Sequence, residues 1–363
     1  MTAFHGGNVS AALEKSSLTP AEILDFSADL NPLGSPPGLE AVLREGWSEV
    51  SLYPEPTYRN LRQALARMEG VEPACILPGN GTADLIHLIT RWKKARRAAV
   101  CVPTFTEYER AILSDGGEIS PWFLQEADEF LPGPFDGIGR MEEGALLFLC
   151  NPNNPTGRLW PRDRLLECLE RCERQGITAV LDEAYMDFVE DELRYSAVRW
   201  LEKFPRLIVL RSMTKIFAVP GLRLGYLVAA PEVVESLSRV QPPWPVNGPA
   251  ALAGSWLAGQ WKTLEISRRE ILAFRQVLGK QLAGLSGIRL FPSETNFFLC
   301  RLTGPRWAAP RLAAALAEQG ILLRVCDDFT GLERGRFLRF AVRKPEENER
   351  LVSALREELP RAG

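Results

Sequence analysis

Histidine is nearly missing from this chain of 363 residues, which carries only His5 and His87. The seven cysteines are odd in number and include no CxxC pair, so neither a Cys/His zinc site nor a disulfide framework is expected. They read as reduced thiols. Cys150 and Cys300 close apolar runs, and Cys168 and Cys172 lie four apart on a helical stretch. No block of basic residues occurs, and a formal charge of -3 leaves no global positive field for nucleic acid. No apolar run approaches the roughly 18 residues of a membrane span, and the opening MTAFHGGNVSAALEKSS lacks the charged-then-apolar pattern of a leader. The expectation is a cytoplasmic protein with no membrane and no nucleic-acid partner. Internal repeats and low-complexity tracts are absent as well.

What remains is an ordinary globular composition, 46% apolar and 25% charged, long enough for a large core divided into two lobes. From residue 75 to about 230, short Val/Ile/Leu runs alternate with helical patterns. Strands are expected at 98–102, 145–150, 178–181, 207–210 and 225–229, with a helix at 162–175. That order predicts an α/β fold whose mostly parallel sheet is covered on both faces, with function in the loops after the strands. From Gly248 the pattern changes to long helices (250–258, 264–285), strands at 288–291, 296–301, 321–325 and 337–342, and a last helix at 345–359. The expected organisation is a large domain (46–243) and a small α+β domain (244–363). The proline-rich QPPWPVN at 241–247 would be the hinge between lobes.

Three segments carry chemistry. In LRSMTKIFAVPGLRLGY, Lys215 follows an expected strand and is flanked by Ser212 and Thr214, with Arg223 eight residues on. A lone lysine there would be a surface residue. With hydroxyls and a second cation beside it, the segment has what a Schiff-base lysine next to an anchored phosphate requires. In AVLDEAY, Asp182 ends an apolar run. It would serve as a cap, or would sit under a pyridine nitrogen and keep it protonated by a charge-assisted hydrogen bond. Tyr185 and Asn154, the latter from the turn-like NPNNPTG, could reach the 3-oxygen of such a ring.

With NPNNPTG, LDEAY and SMTK…GLRLGY in this order, the chain resembles the fold-type I pyridoxal-phosphate enzymes, the aspartate aminotransferase superfamily, over essentially its whole length. The resemblance implies a large domain with a mostly parallel seven-stranded sheet, an amino-terminal arm (1–45) packing on the small domain and the active site, pyridoxal 5'-phosphate as cofactor and no metal. Carried over by position, Lys215 is the Schiff-base lysine and Asp182 the pyridine partner. Asn154 and Tyr185 are the 3-oxygen partners, and Ser212, Thr214 and Arg223 the phosphate ligands. Gly81 and Thr82 in PGNGTADLI would present backbone N–H groups to the phosphate. In PTFTEY, Tyr108 would stack on the cofactor ring, with Phe105 the competing aromatic. Tyr53 in LYPEPTY would reach the cofactor phosphate of a neighbouring subunit, which implies a homodimer with shared active sites.

The YP, NPNNPTG and GLRLGY motifs also occur in the histidinol-phosphate aminotransferase branch. HGGNV, DFSADLNPLG, PTFTEYERA, QPPWPVN and LLRVCDDFTGL instead look like the branch that decarboxylates L-threonine O-3-phosphate to aminopropanol phosphate in cobalamin synthesis. That resemblance implies a small phosphorylated amino-acid substrate. Arg324 and Arg339 are the expected ligands of its phosphate, helped by His5, Gly7 and Asn31 from the arm. Whether Arg339 meets phosphate or carboxylate is where the two branches diverge. The proton donor to Cα is Lys215, a water or Tyr185. The pattern calls for Asn at position 29, where this chain has Asp29. An extra carboxylate would repel a phosphorylated substrate, so Asp29 either points away or signals a variant substrate.

Overall fold

The computed structural model describes residues 6–14, 18–94, 96–133, 141–304 and 308–360. A two-residue strand, β1 (Leu24–Asp25), precedes the seven strands of the main sheet. These are β2 (Ile76–Gly79), β3 (Arg97–Val102), β4 (Glu118–Phe123), β5 (Leu146–Cys150), β6 (Thr178–Asp182), β7 (Leu207–Ser212) and β8 (Gly225–Ala229). Their order is β2-β8-β7-β6-β5-β3-β4; β8 is antiparallel to both neighbours, and every other pairing is parallel.

The central strands are apolar at nearly every position because both faces are covered. Leu146, Phe148, Val180, Ile208 and Leu210 enter one core, while Leu147, Leu149, Leu181 and Val209 enter the other, as the alternation of strand side chains requires. Truncating one of these, as in Leu147→Ala, should cost about 2–5 kcal/mol. The sequence expectation missed β2 and β4. Both contain proline (Pro78 and Pro121), and both lie at the sheet's edges, where proline's missing N–H is tolerated.

Five further strands follow: β9 (Ile288–Leu290), β10 (Phe297–Leu302), β11 (Ile321–Leu322), β12 (Arg324–Val325) and β13 (Phe337–Ala341). Four make an antiparallel sheet in the order β12-β13-β10-β9. The single strand expected at 321–325 is two: β11 pairs in parallel with β1, and β12 pairs with β13. The chain changes partner at Leu323 because residues 24–26 run between the two edges. The Leu24 amide donates to Gly320 O at 2.7 Å, the Phe26 amide to Leu322 O at 2.9 Å, and Ala341 N donates to Phe26 O at 2.8 Å.

The 241–247 segment, expected as a hinge, is anchored. The Tyr58 hydroxyl donates to Val246 O at 2.8 Å and accepts from Val246 N at 3.1 Å, and Asn247 caps the helix Gly248–Leu257. Among the described residues no helix is long and apolar enough to cross a membrane.

Candidate active site

The carboxyl ends of β2, β3, β5, β6 and β7 and the start of β8 share one edge of the main sheet, and a cavity of about 710 Å³ opens there. Its wall includes Gly81, Thr82, Asn154, Asp182, Tyr185, Ser212, Thr214, Lys215 and Arg223 from the main sheet. Gly7 and Asp29 from the amino-terminal segment complete it, with Arg324 and Arg339 from β12 and β13.

Asp182 is the last residue of β6 and is buried. Its Oδ2 accepts from the Tyr108 hydroxyl at 2.7 Å and its Oδ1 from Ala184 N at 3.0 Å. Burial pushes its carboxyl up, and the Tyr108 hydroxyl, the Ala184 amide and Lys215 offset this only in part. Lys215 follows β7, the strand paired with β6, and is fixed through its backbone: Lys215 O accepts from Asn31 N at 3.0 Å.

A polar cradle adjoins the lysine. Ser212 Oγ and Thr214 Oγ1 are 2.8 Å apart, and the helix Thr82–Lys93 starts beside them, with Gly81 and Thr82 in the cavity wall. Gly81 has φ +80°, and a Cβ there would stand 2.6 Å from Arg223 Nη2, so only glycine lets the guanidinium close over this helix start. The N–H groups, two hydroxyls and a guanidinium together form an anion receptor.

The end of the cavity formed by Arg324 and Arg339 is more self-paired than the sequence suggested. Arg339 donates from Nη2 to Asp29 Oδ1 at 2.9 Å and to Ser27 O at 3.1 Å, and from Nη1 to Asn154 Oδ1. Its guanidinium lies 4.9 Å from the centre of the Phe297 ring. Arg324 donates from Nη2 to both oxygens of Asp328, at 2.8 and 2.7 Å, and lies over Phe329. Asp29 does not point away. It is buried, accepts from the Tyr185 hydroxyl and lies 3.6 Å from Lys215 Nζ.

Three expectations change. Tyr108 does not face the cavity. It is fully buried, stacks on Phe148 with ring centres 5.2 Å apart and supports Asp182 from behind, whereas Phe105 lines the cavity. The helix Glu107–Ser114 begins between them, so Phe105 is left on the loop at the mouth while Tyr108 turns inward with the first helical turn. Asn31 is not in the wall either. Its Nδ2 donates to Ile216 O at 2.8 Å and its Oδ1 accepts from Leu33 N at 2.9 Å, so it ties the amino-terminal segment to the lysine loop. Tyr53 lies outside the cavity of its own chain, exposed and stacked on Trp244 at 4.5 Å. The expectation for His5 falls outside the described residues.

Sequence reading ranked Phe105 behind Tyr108, although Phe105 is the one that lines the cavity, and missed the partners Ser27 and Asp328, for which it held no signal.

The profile of the family "Aminotransferase class I and II" matches residues 23–355. The chain is 38% identical over 360 residues to a threonine-phosphate decarboxylase of Salmonella typhimurium, covering 97% of this chain and 95% of that one. Among solved structures it resembles the L-threonine-O-3-phosphate decarboxylase from Porphyromonas gingivalis (TM-score 0.82, 28% identity, 92% of this chain and 99% of that one). It also resembles the histidinol-phosphate aminotransferase from Clostridium acetobutylicum (TM-score 0.85, 28% identity, 93% of this chain and 100% of that one).

Proposed function

Because the chain belongs to the class I and II aminotransferase family, we propose that it is a pyridoxal-phosphate-dependent decarboxylase of L-threonine O-3-phosphate, yielding CO2 and (R)-1-amino-2-propanol phosphate for cobalamin synthesis. The observation that carries the reading is the juxtaposition of buried Asp182, at the end of β6, and Lys215, in the loop after the paired strand β7, with the Ser212, Thr214 and Arg223 cradle on the same cavity.

The residues fit the cofactor. A buried carboxyl whose ionisation is opposed by burial suits a cationic ring nitrogen as partner. The Gly81 cradle under Arg223, with Ser212 and Thr214, suits a phosphate dianion. Lys215 would carry the aldehyde carbon, Asn154 and Tyr185 would face the 3-oxygen, and Phe105 in place of Tyr108 would cover the ring. When bound, the cofactor supplies the electron sink that takes up the pair left as the Cα–carboxylate bond breaks.

The chain's own groups do the rest. Arg324 and Arg339 are the cations at the substrate end, with Gly7 in the wall beside them, and the substrate phosphate would lie against them. As CO2 leaves, Cα needs one proton. The Tyr185 hydroxyl is engaged with Asp29 and burial raises it well above its ordinary range, so Lys215 Nζ is the carrier in this reading. A homodimer is part of the proposal: Trp47, Leu52 and Tyr53 are exposed apolar groups on one stretch of chain, suited to a second copy into whose site Tyr53 would reach. A cytoplasmic location belongs to the same reading.

The likeness to the histidinol-phosphate aminotransferase supports an alternative, amino transfer. Two assays separate them. Holoenzyme given O-phospho-L-threonine should release CO2 with no oxo-acid acceptor, and Lys215→Ala should abolish that release together with the cofactor absorbance band. Amino transfer from histidinol phosphate to 2-oxoglutarate, with no CO2 from phosphothreonine, would install the alternative.

A further inference from the structure

Asp29 is a carboxylate in the wall of a cavity whose proposed substrate is itself anionic. Its Oδ1 meets Arg339 Nη2 at 2.9 Å and Lys215 Nζ at 3.6 Å, and its Oδ2 accepts from the Tyr185 hydroxyl. Burial pushes the carboxyl up, but Arg339, Lys215 and the Tyr185 hydroxyl outweigh that and hold it well below the usual carboxylate range. It is therefore charged at neutral pH.

A guanidinium has five N–H bonds and grips a carboxylate with two that run parallel. Two such forks exist, Nη1 with Nη2 and Nε with Nη2, and both need a hydrogen of Nη2. In Arg339 the two Nη2 hydrogens go to Asp29 Oδ1 and to Ser27 O, while Nη1 donates to Asn154 Oδ1. Neither fork is open toward the cavity, which leaves Arg339 only single N–H groups, one on Nε and one on Nη1, for the substrate phosphate.

We propose that Asp29 is a positioning residue of this chain, an internal carboxylate that occupies the Arg339 fork and withholds it from the α-carboxylate of the amino-acid substrate. The inference rests on the decarboxylase reading. A group that must depart as neutral CO2 loses its charge as the Cα–C bond breaks. The electron pair passes to the cofactor, and a proton then joins Cα. A salt bridge to that carboxylate would stabilise bound substrate more than the transition state, deepening the ground state and slowing the step. Asp29 supplies the arginine with a carboxylate that never leaves.

The test compares two ligands on the holoenzyme, O-phospho-L-threonine and 1-amino-2-propanol phosphate, which lacks the carboxylate. Asp29→Ala should bind the carboxylate-bearing ligand about tenfold more tightly relative to the other, from the charge-assisted fork it opens, and Asp29→Asn, whose amide oxygen still accepts from Nη2 but carries no charge, should show a smaller gain in the same direction. In the same variants, kcat for CO2 release and KM should fall together, the mark of a strengthened ground state. Adding Arg339→Gln to Asp29→Asn should cancel the gain, which a merely structural role for Asp29 would not produce. An unchanged binding ratio in folded, cofactor-loaded Asp29→Asn and Asp29→Ala overturns the proposal, as does a rise in KM without the gain. If wild-type enzyme releases no CO2 from phosphothreonine, the substrate reading fails separately. Acetate then serves as the probe: tighter acetate binding in Asp29→Ala upholds the fork, and unchanged binding refutes it.

Discussion

Replacing Arg211 by methionine should expose how the strand behind the site is held. Arg211 lies on β7 and is almost wholly buried. It meets Glu69 at 3.0 Å, Glu183 at 3.4 Å, Asp187 at 3.1 Å and Glu192 at 2.5 Å. Arg268 is the second cation of the group, donating to Glu192 and to Asp187 O. Glu183 directly follows Asp182, so the network anchors the loop that carries the proposed pyridine partner. Methionine fills similar space but leaves the carboxylates facing one arginine. Removing one partner of a buried pair costs about 3–5 kcal/mol, a large part of the roughly 5–15 kcal/mol by which proteins are stable. The melting temperature should drop on the order of 5–15 °C.

The loss should depend on pH. Burial pushes Glu183 up to about 7, with Arg211 as the main opposing influence, and burial likewise raises Asp187. A raised carboxyl binds its proton more tightly in the folded state. Its stabilising contribution is therefore complete below the unfolded value near 4.5 and is lost as pH rises through about 7. For Glu183 this amounts to at most about 3 kcal/mol. Without Arg211 the carboxyls rise further, so the deficit of Arg211→Met should widen between pH 5.5 and pH 8. Urea unfolding at both pH values checks this. A deficit under about 1 kcal/mol, or one equal at the two pH values, would refute the reasoning.

Tyr108→Phe keeps the stack on Phe148 and removes the donor to Asp182, a bond to a charged group worth about 1.5–3 kcal/mol; CO2 release should slow about tenfold or more, with the cofactor band shifted, whereas Phe105→Ala should chiefly weaken cofactor retention, measured by dialysis. Asn31→Ala breaks the tie to Ile216 O and should raise KM for the phosphosubstrate more than it lowers kcat, by steady-state assay. Burial raises the thiols of Cys75, Cys101, Cys150, Cys300 and Cys326, but Cys75 alone is half-buried where the other six cysteines are buried; a thiol reagent at pH 8 should label Cys75 first in the native protein, and all seven cysteines only after denaturation.

What sequence made legible was whatever lies within one short segment. Lys215, its hydroxyls and Arg223 lie at the end of β7 and in the loop after it, and Asp182 ends a strand that is apolar from Ala179 to Leu181, so local pattern was enough. β2 and β4 escaped because edge strands tolerate the proline and glycine that otherwise read as turns. Phe105 and Tyr108 are three residues apart, and only the helix start between them decides which faces the cavity. The pairing of Asp29 with Arg339 spans 310 residues and depends on the amino-terminal segment lying between two sheets, which no local pattern encodes. Position 29 was noticeable in sequence only as an oddity; its partner set emerges in three dimensions.

The most direct test of the central assignment, that Lys215 and Asp182 serve one cofactor in a decarboxylation, is to run the reaction in D2O. Holoenzyme and O-phospho-L-threonine, with no oxo acid present, should give CO2 and amine in equal amounts over many turnovers. The amine should carry a single deuterium on the carbon that lost the carboxylate. Formation of a 2-oxo acid without CO2, or turnover that persists unchanged in Lys215→Ala, would contradict it.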